Sequence, residues 1–153
     1  MSSRGISIAE VLIGMTIIAI VAGAVFLNLS NYRGFQDLDF DAQRIVSTLR
    51  DAQQRSVIQD EDSGWGVRFR NQEEDSYELF RVMPPGIVGA TTFLKSSLEF
   101  DATVGNPTET VFTKISGITT LAVITVKIKN AACGSEPEKC RTITVNANGS
   151  IAL

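Results

Sequence analysis

The sequence predicts an α+β protein: a long N-terminal helix, apolar in its first half and amphipathic in its second, packed on an antiparallel β-rich domain. Three observations lead there. Residues 6–29 are an apolar run with a single charge, residues 35–59 repeat apolar side chains at three- and four-residue spacing, and the rest is short β-patterned segments separated by turn residues.

Composition narrows the function before any element is placed. With 153 residues, 44% of them hydrophobic, and a mean hydropathy of +0.11, the chain is long enough for one modest core and one apolar anchor. A net charge of −3, with both signs scattered along the chain, gives no electrostatic footprint for nucleic acid. The absence of histidine, with Cys133 and Cys140 the sole cysteines, rules out the usual His/Cys zinc site and the Ser/His/Asp or Cys/His triads. No catalytic residue, metal or cofactor is therefore expected, and the chain does not read as an enzyme.

The apolar run, ISIAEVLIGMTIIAIVAGAVFLNL, reaches roughly 36 Å as a helix, enough for a hydrocarbon core of about 30 Å. Its one charge is Glu10, and a carboxylate deep in a bilayer costs about 2.5–3.5 kcal/mol on insertion scales, so such a residue usually has a function. A cleaved secretory signal with Ala22-Gly23-Ala24 as its cleavage site would leave a charge inside the hydrophobic region and only Arg4 before it. A plain one-pass anchor explains the length and a cytoplasmic Arg4, but not Glu10.

SSRG followed by ISIAEVLIGMTIIAIVAGAVF resembles the class III signal of prepilins, in which a short basic leader ends in glycine and a glutamate lies five residues into the mature chain. The glycine here is Gly5 and the glutamate Glu10. The sequence departs from the family at Ile6, where phenylalanine is commonest, at Ser7 and Ala9, and in a leader of five residues. The resemblance implies a type IV pilin-like fold, cleavage between Gly5 and Ile6 by a membrane-embedded prepilin peptidase, and N-methylation of Ile6. It also implies assembly with other pilins or pseudopilins through Glu10, on a membrane platform. An unpaired charge is costly in a low-dielectric environment, so the new amine at Ile6 and the carboxylate of a neighbour's Glu10 each supply what the other lacks. The implied location is the inner membrane, single-pass with a cytoplasmic N-terminus and an exported globular domain.

Beyond the run, NLSNYRG carries turn formers that suggest a bend or weak point before periodicity resumes, or a helix that runs on through it. Leu38, Ala42, Ile45, Leu49 and Ala52 then form a stripe expected to pack on the globular domain, opposite a solvated face with Asp41 beside Arg44 and Asp51 beside Arg55. DEDSGWG should end the helix, with acids opposing the dipole and Gly64 free to take a positive φ. WGVRFR and YELFRV, separated by NQEEDS, read as a hairpin closed by MPPG. SLEF, TVFTKI, ITTLAVITVKIKN, CRTITVN and SIAL are further strands, the last two joined at NANG.

GWGVRFR, SLEFDATVG and RTITVNANGSIAL, in that order, resemble the GspH/FimT branch of minor pilins and pseudopilins. Together these readings divide the chain into a leader at 1–5, a transmembrane and filament-core helix at 6–29, its amphipathic continuation at 30–62, and a β-rich globular domain at 63–153. The expected role is a structural subunit, a minor one by that branch, of a type II secretion pseudopilus or type IV pilus. The alternative is a pilus-tip binding module for DNA or another ligand.

The remaining clusters read as ordinary surface. Asp37, Asp39 and Asp41 imitate the opening of an EF-hand loop, but Ala42 replaces its glycine and Thr48 its bidentate glutamate, leaving an exposed helix start. The acids at 60–62 and 73–75 read as solvated turns. Lys127, Lys129, Lys139 and Arg141 would make a small basic patch, yet without an aromatic stripe and with Glu136 and Glu138 beside it the patch reads as a guarded strand edge. Cys133 and Cys140, in the turn-rich AACGSEPEKC, suit a disulfide-closed loop in an oxidising compartment.

Overall fold

The computed structural model describes residues 8–87 and 90–153, without the side chains of residues 24–31 and 87. The chain divides into two units, Met1–Gly34 and Phe35–Leu153. Helix α1, Ile8–Val57, includes NLSNYRG without a break, so the weak point expected there leaves the backbone helical.

In the second unit α1 buries Leu38, Ala42, Ile45, Leu49 and Ala52 completely, the stripe its spacing predicts. The strands are β1 Trp65–Arg70, β2 Ser76–Arg81, β3 Gly86–Ile87, β4 Thr92–Phe93, β5 Leu98–Phe100, β6 Thr108–Phe112, β7 Ala122–Ile128, β8 Cys140–Val145 and β9 Ile151–Ala152. They form two antiparallel sheets. One has the order β3-β2-β1-β6, with β4 also pairing β2; the other has the order β5-β7-β8-β9. Alternate residues of both sheets face α1, so Trp65, Val67, Phe69 and Phe112 from the first share one core with Ile124, Val126, Ile143 and Val145 from the second. Phe69 meets Phe100 edge to face at 5.8 Å, tying β1 to β5 across the sheets.

The end of α1 differs from expectation. The helix stops at Val57 rather than running to residue 62, and a 3-10 turn, Asp60–Asp62, follows. The left-handed region is occupied by Gln59, Glu61 and Asp62 instead of Gly64. The physical reason lies in the partners this turn finds. Asp60 pairs with Arg55 at 3.2 Å, Glu61 with Arg81 and Asp62 with Lys114 at 2.7 Å. Gly64 is meanwhile drawn toward the ladder by Val82, whose N–H donates to its carbonyl at 2.9 Å.

Two further differences concern strands. TVFTKI ends as a strand at Phe112, because Thr113 turns back to accept no ladder partner and instead donates its N–H to the carbonyl of Ile118. Strands β3 and β4 were not expected; two residues each carry no readable alternation, β3 pairs with β2 at Phe80 and Arg81, and the place of β4 is fixed by Leu94 N–H donating to the carbonyl of Asp75 at 2.9 Å.

Candidate assembly site

Glu10 lies in the first turn of α1, where a negative charge complements the partial positive charge of the helix end, and its side chain is exposed. Gly5 and Ile6, the expected cleavage and methylation positions, lie outside the described residues. From Ile8 to Val21 the large apolar side chains are exposed at successive positions: Val11, Leu12 and Ile13, then Met15, then Ile17 and Ile18, then Ile20 and Val21, with Ile8 reaching 81%. Spaced this way they cover the helix all round rather than one stripe, a pattern suited to an apolar surrounding. Burying each Leu, Ile or Met is worth about 1.5–3 kcal/mol. Among the described residues no helix is long and apolar enough to cross a membrane, and the stretch expected to do so, 6–29, lies partly outside them.

The second unit holds its part of α1 with polar contacts that sequence reasoning missed. Asp41 was assigned to a solvated face but is 3% exposed, and its Oδ2 accepts the N–H of Lys95 at 2.9 Å. Asp39 was read as an exposed helix start, yet its Oδ1 accepts Arg141 Nε at 2.7 Å. These partners are 54 and 102 residues away in sequence, so no local signal could have found them. Farther along, Gln53 Nε2 donates to the carbonyls of Gly117 and Gly149 at 3.2 and 2.9 Å, and Ser56 joins β1 to β6. Asp51 does pair with Arg55, at 3.0 Å.

Cys133 and Cys140 are disulfide-bonded, with Cα atoms 5.7 Å apart, just beyond the point where Lys127 of β7 faces Cys140 of β8. Around them the basic cluster is largely paired: Lys127 with Glu99 and Asp101, Lys139 with Glu136, and Arg141 with Asp39. The Lys139 hydrogen bond lowers the pKa of Glu136, and the Glu136 hydrogen bond raises that of Lys139. Asp62 is likewise lowered, by its hydrogen bond to Lys114 and then by that charge. Of the acids at 73–75, Asp75 is not solvated: its two carboxylate oxygens accept the N–H groups of Gln72 at 3.0 Å and Phe100 at 2.6 Å.

On the outer face of the first sheet Glu78 is buried between Arg68 at 3.1 Å and Arg70 at 2.8 Å. Arg68 also donates to Glu109, which raises its pKa, and lies 4.8 Å from the ring of Phe80. That ring covers Gly66, where an added Cβ would stand 2.6 Å from the carbonyl oxygen of Thr110 and 3.0 Å from Phe80. These cations and acids satisfy one another within the sheet and hold it rigid.

No family model matches the chain. The minor pseudopilin EpsH of the Vibrio cholerae type 2 secretion system has a similar structure, with a TM-score of 0.58 over 76% of this chain and 95% of that one, at 20% identity. This chain has the α+β fold of that pseudopilin. Type II secretion system protein H of Aeromonas hydrophila is 37% identical to it over 81 residues, 48% of this chain. That match spans 44% of the Aeromonas protein's length.

Proposed function

We propose that the chain is a structural subunit of a type II secretion pseudopilus, made as a prepilin and assembled through its N-terminal helix. The observation that carries this reading is the apolar surface encircling α1 between Ile8 and Val21 on a GspH-like fold. Prepilin peptidase would cut between Gly5 and Ile6 and methylate Ile6. The new amine, brought beside Glu10 of a neighbouring pseudopilin, would offset the desolvation of both charges and set the register of the bundle. The helix would be held in the inner membrane with its N-terminus cytoplasmic, and the globular unit would lie in the periplasm, where the Cys133–Cys140 bond persists. The system's assembly platform is then the expected membrane partner.

The tip-binding alternative would have to draw on a basic cluster in which Lys127, Lys139 and Arg141 are each paired with an acid, so that little of its charge is left for an anionic ligand. Intact-mass analysis of the membrane form from its own host, with and without the peptidase, tests the processing. Loss of residues 1–5 with an added methyl group is the expected result, and a mature chain beginning at Val25 would overturn it in favour of a secretory signal. Cross-linking to other pseudopilins of the same system tests the assembly.

A further inference from the structure

Arg141 follows directly on Cys140, and three contacts fix its guanidinium. Nε donates to Asp39 Oδ1 of α1 at 2.7 Å, while Nη1 donates to the carbonyls of Glu138 at 3.0 Å and Cys140 at 2.8 Å. The Glu138 carbonyl belongs to the ring that the disulfide closes between Cys133 and Cys140, and the Cys140 carbonyl leads out of it into β8. Within the loop the hydrogen bonds are local, among them Ser135 and Glu136 N–H to Ala132, Lys139 N–H to Glu136, Cys140 N–H to Pro137 and the Lys139–Glu136 ion pair, while Cys140 itself pairs with Lys127 of β7. Arg141 therefore links a cross-linked loop to the helix. One end of the link depends on the loop's backbone shape, and the other end is a carboxylate of α1.

We infer that the disulfide is a redox-sensitive fastener for α1. Oxidised, the ring holds the 138 carbonyl where it helps aim Arg141 at Asp39. Reduction by a dithiol passes two electrons and two protons to the Sγ atoms of Cys133 and Cys140, leaves two thiols and converts the reductant to its cyclic disulfide. The loop between residues 133 and 140 then regains backbone freedom, the 138 carbonyl no longer orients the guanidinium, and α1 loses its tie at residue 39 while keeping the Asp41–Lys95 bond one half-turn on. The Asp39 side chain is 50% exposed, so the effect is a local loosening and not unfolding.

Hydrogen exchange of the full chain in detergent, with and without a dithiol, reads this out. In the wild type, reduction should raise exchange in a peptide covering residues 36–45 about two- to threefold, the size expected of a partly exposed ion pair. Asp39→Asn should show that rise already in the oxidised form and gain nothing more on reduction. The double variant Cys133→Ser/Cys140→Ser should match the reduced wild type; the reduced wild type alone carries the test if that variant does not fold. Faster exchange confined to residues 132–142, or an equal further rise on reduction in Asp39→Asn, would overturn the coupling.

Discussion

Ser56 accepts the main-chain N–H of Trp65 at 2.8 Å, so a helix side chain supplies a bond that a neighbouring strand would ordinarily make. The same hydroxyl donates to the carbonyl of Phe112 at 3.1 Å, and Phe112 is the register partner of Trp65. Ser56 is thus inserted into the end of the β1–β6 ladder and is fully buried. Replacing it with alanine leaves a buried donor and acceptor without their partner, and Ser56→Ala should destabilise the unit by about 2–3 kcal/mol. Urea unfolding of residues 35–153, which contain the whole core, measures the loss.

Gly149 has φ +85°, and an added Cβ would lie 2.4 Å from both Gln53 Nε2 and the carbonyl oxygen of Gly117. Gly149→Ala should therefore cost about 1–3 kcal/mol from backbone strain, with more from the clash. Combining it with Gln53→Ala should recover only part of the loss, because the Gly117 carbonyl and the positive φ remain. Melting temperatures of the two single variants and the double variant test this.

Burial pushes the pKa of Tyr77 up, against smaller opposing effects of the nearby Thr48 and Thr92 side chains, and among the described residues its buried hydroxyl makes no hydrogen bond of good geometry. With the folded pKa above the unfolded value of about 10, the neutral phenol's contribution is fully present below pH ~10 and is lost as pH rises toward the folded value. Tyr77→Phe should flatten that alkaline loss and leave stability at pH 7 equal or higher, since no hydrogen bond is removed. Melting curves from pH 7 to 11 for the variant and the wild type compare the two.

The Thr103 N–H, 3.1 Å from Asp101 Oδ1, and the Thr103 side chain hold the Asp101 pKa below its usual value, against a smaller opposing effect of burial. The sign is that of a depressed acid: its contribution is present above the unfolded value of about 3.9 and is lost as pH falls through the folded one. Asp101→Asn should lower stability at pH 7 and show a shallower decline in acid than the wild type. Denaturation midpoints at pH 7 and pH 3 supply the comparison.

Glu10→Ala makes the helix more apolar while removing the carboxylate proposed to meet a neighbour's amine, so the variant should enter the membrane and be cleaved normally but join filaments poorly. Cross-linking yields between subunits in membranes should fall several-fold on the scale of a lost buried charge partner. Wild-type yields would remove Glu10 from the assembly site.

The amino-acid sequence by itself determined the α+β class, the buried stripe of α1, the β1–β2 hairpin and most strand segments, because each is a local pattern of burial and turn chemistry. The spacing of Cys133 and Cys140 likewise pointed to the bond that the structure contains. Local pattern also set its limits: the run of acids at 60–62 was correctly placed near the end of the helix, but the conformation of that turn goes with partners, Arg55, Arg81 and Lys114, brought in from α1, β2 and the turn after β6. Only the tertiary structure decided that Asp39, Asp41, Gln53 and Ser56, polar residues indistinguishable from a solvated helix face in sequence, fasten α1 to loops and strands of both sheets. A helix side chain reveals its face through its spacing, but its hydrogen-bond partner depends on where distant backbone groups come to rest, and those positions exist only once the two sheets have closed over the stripe.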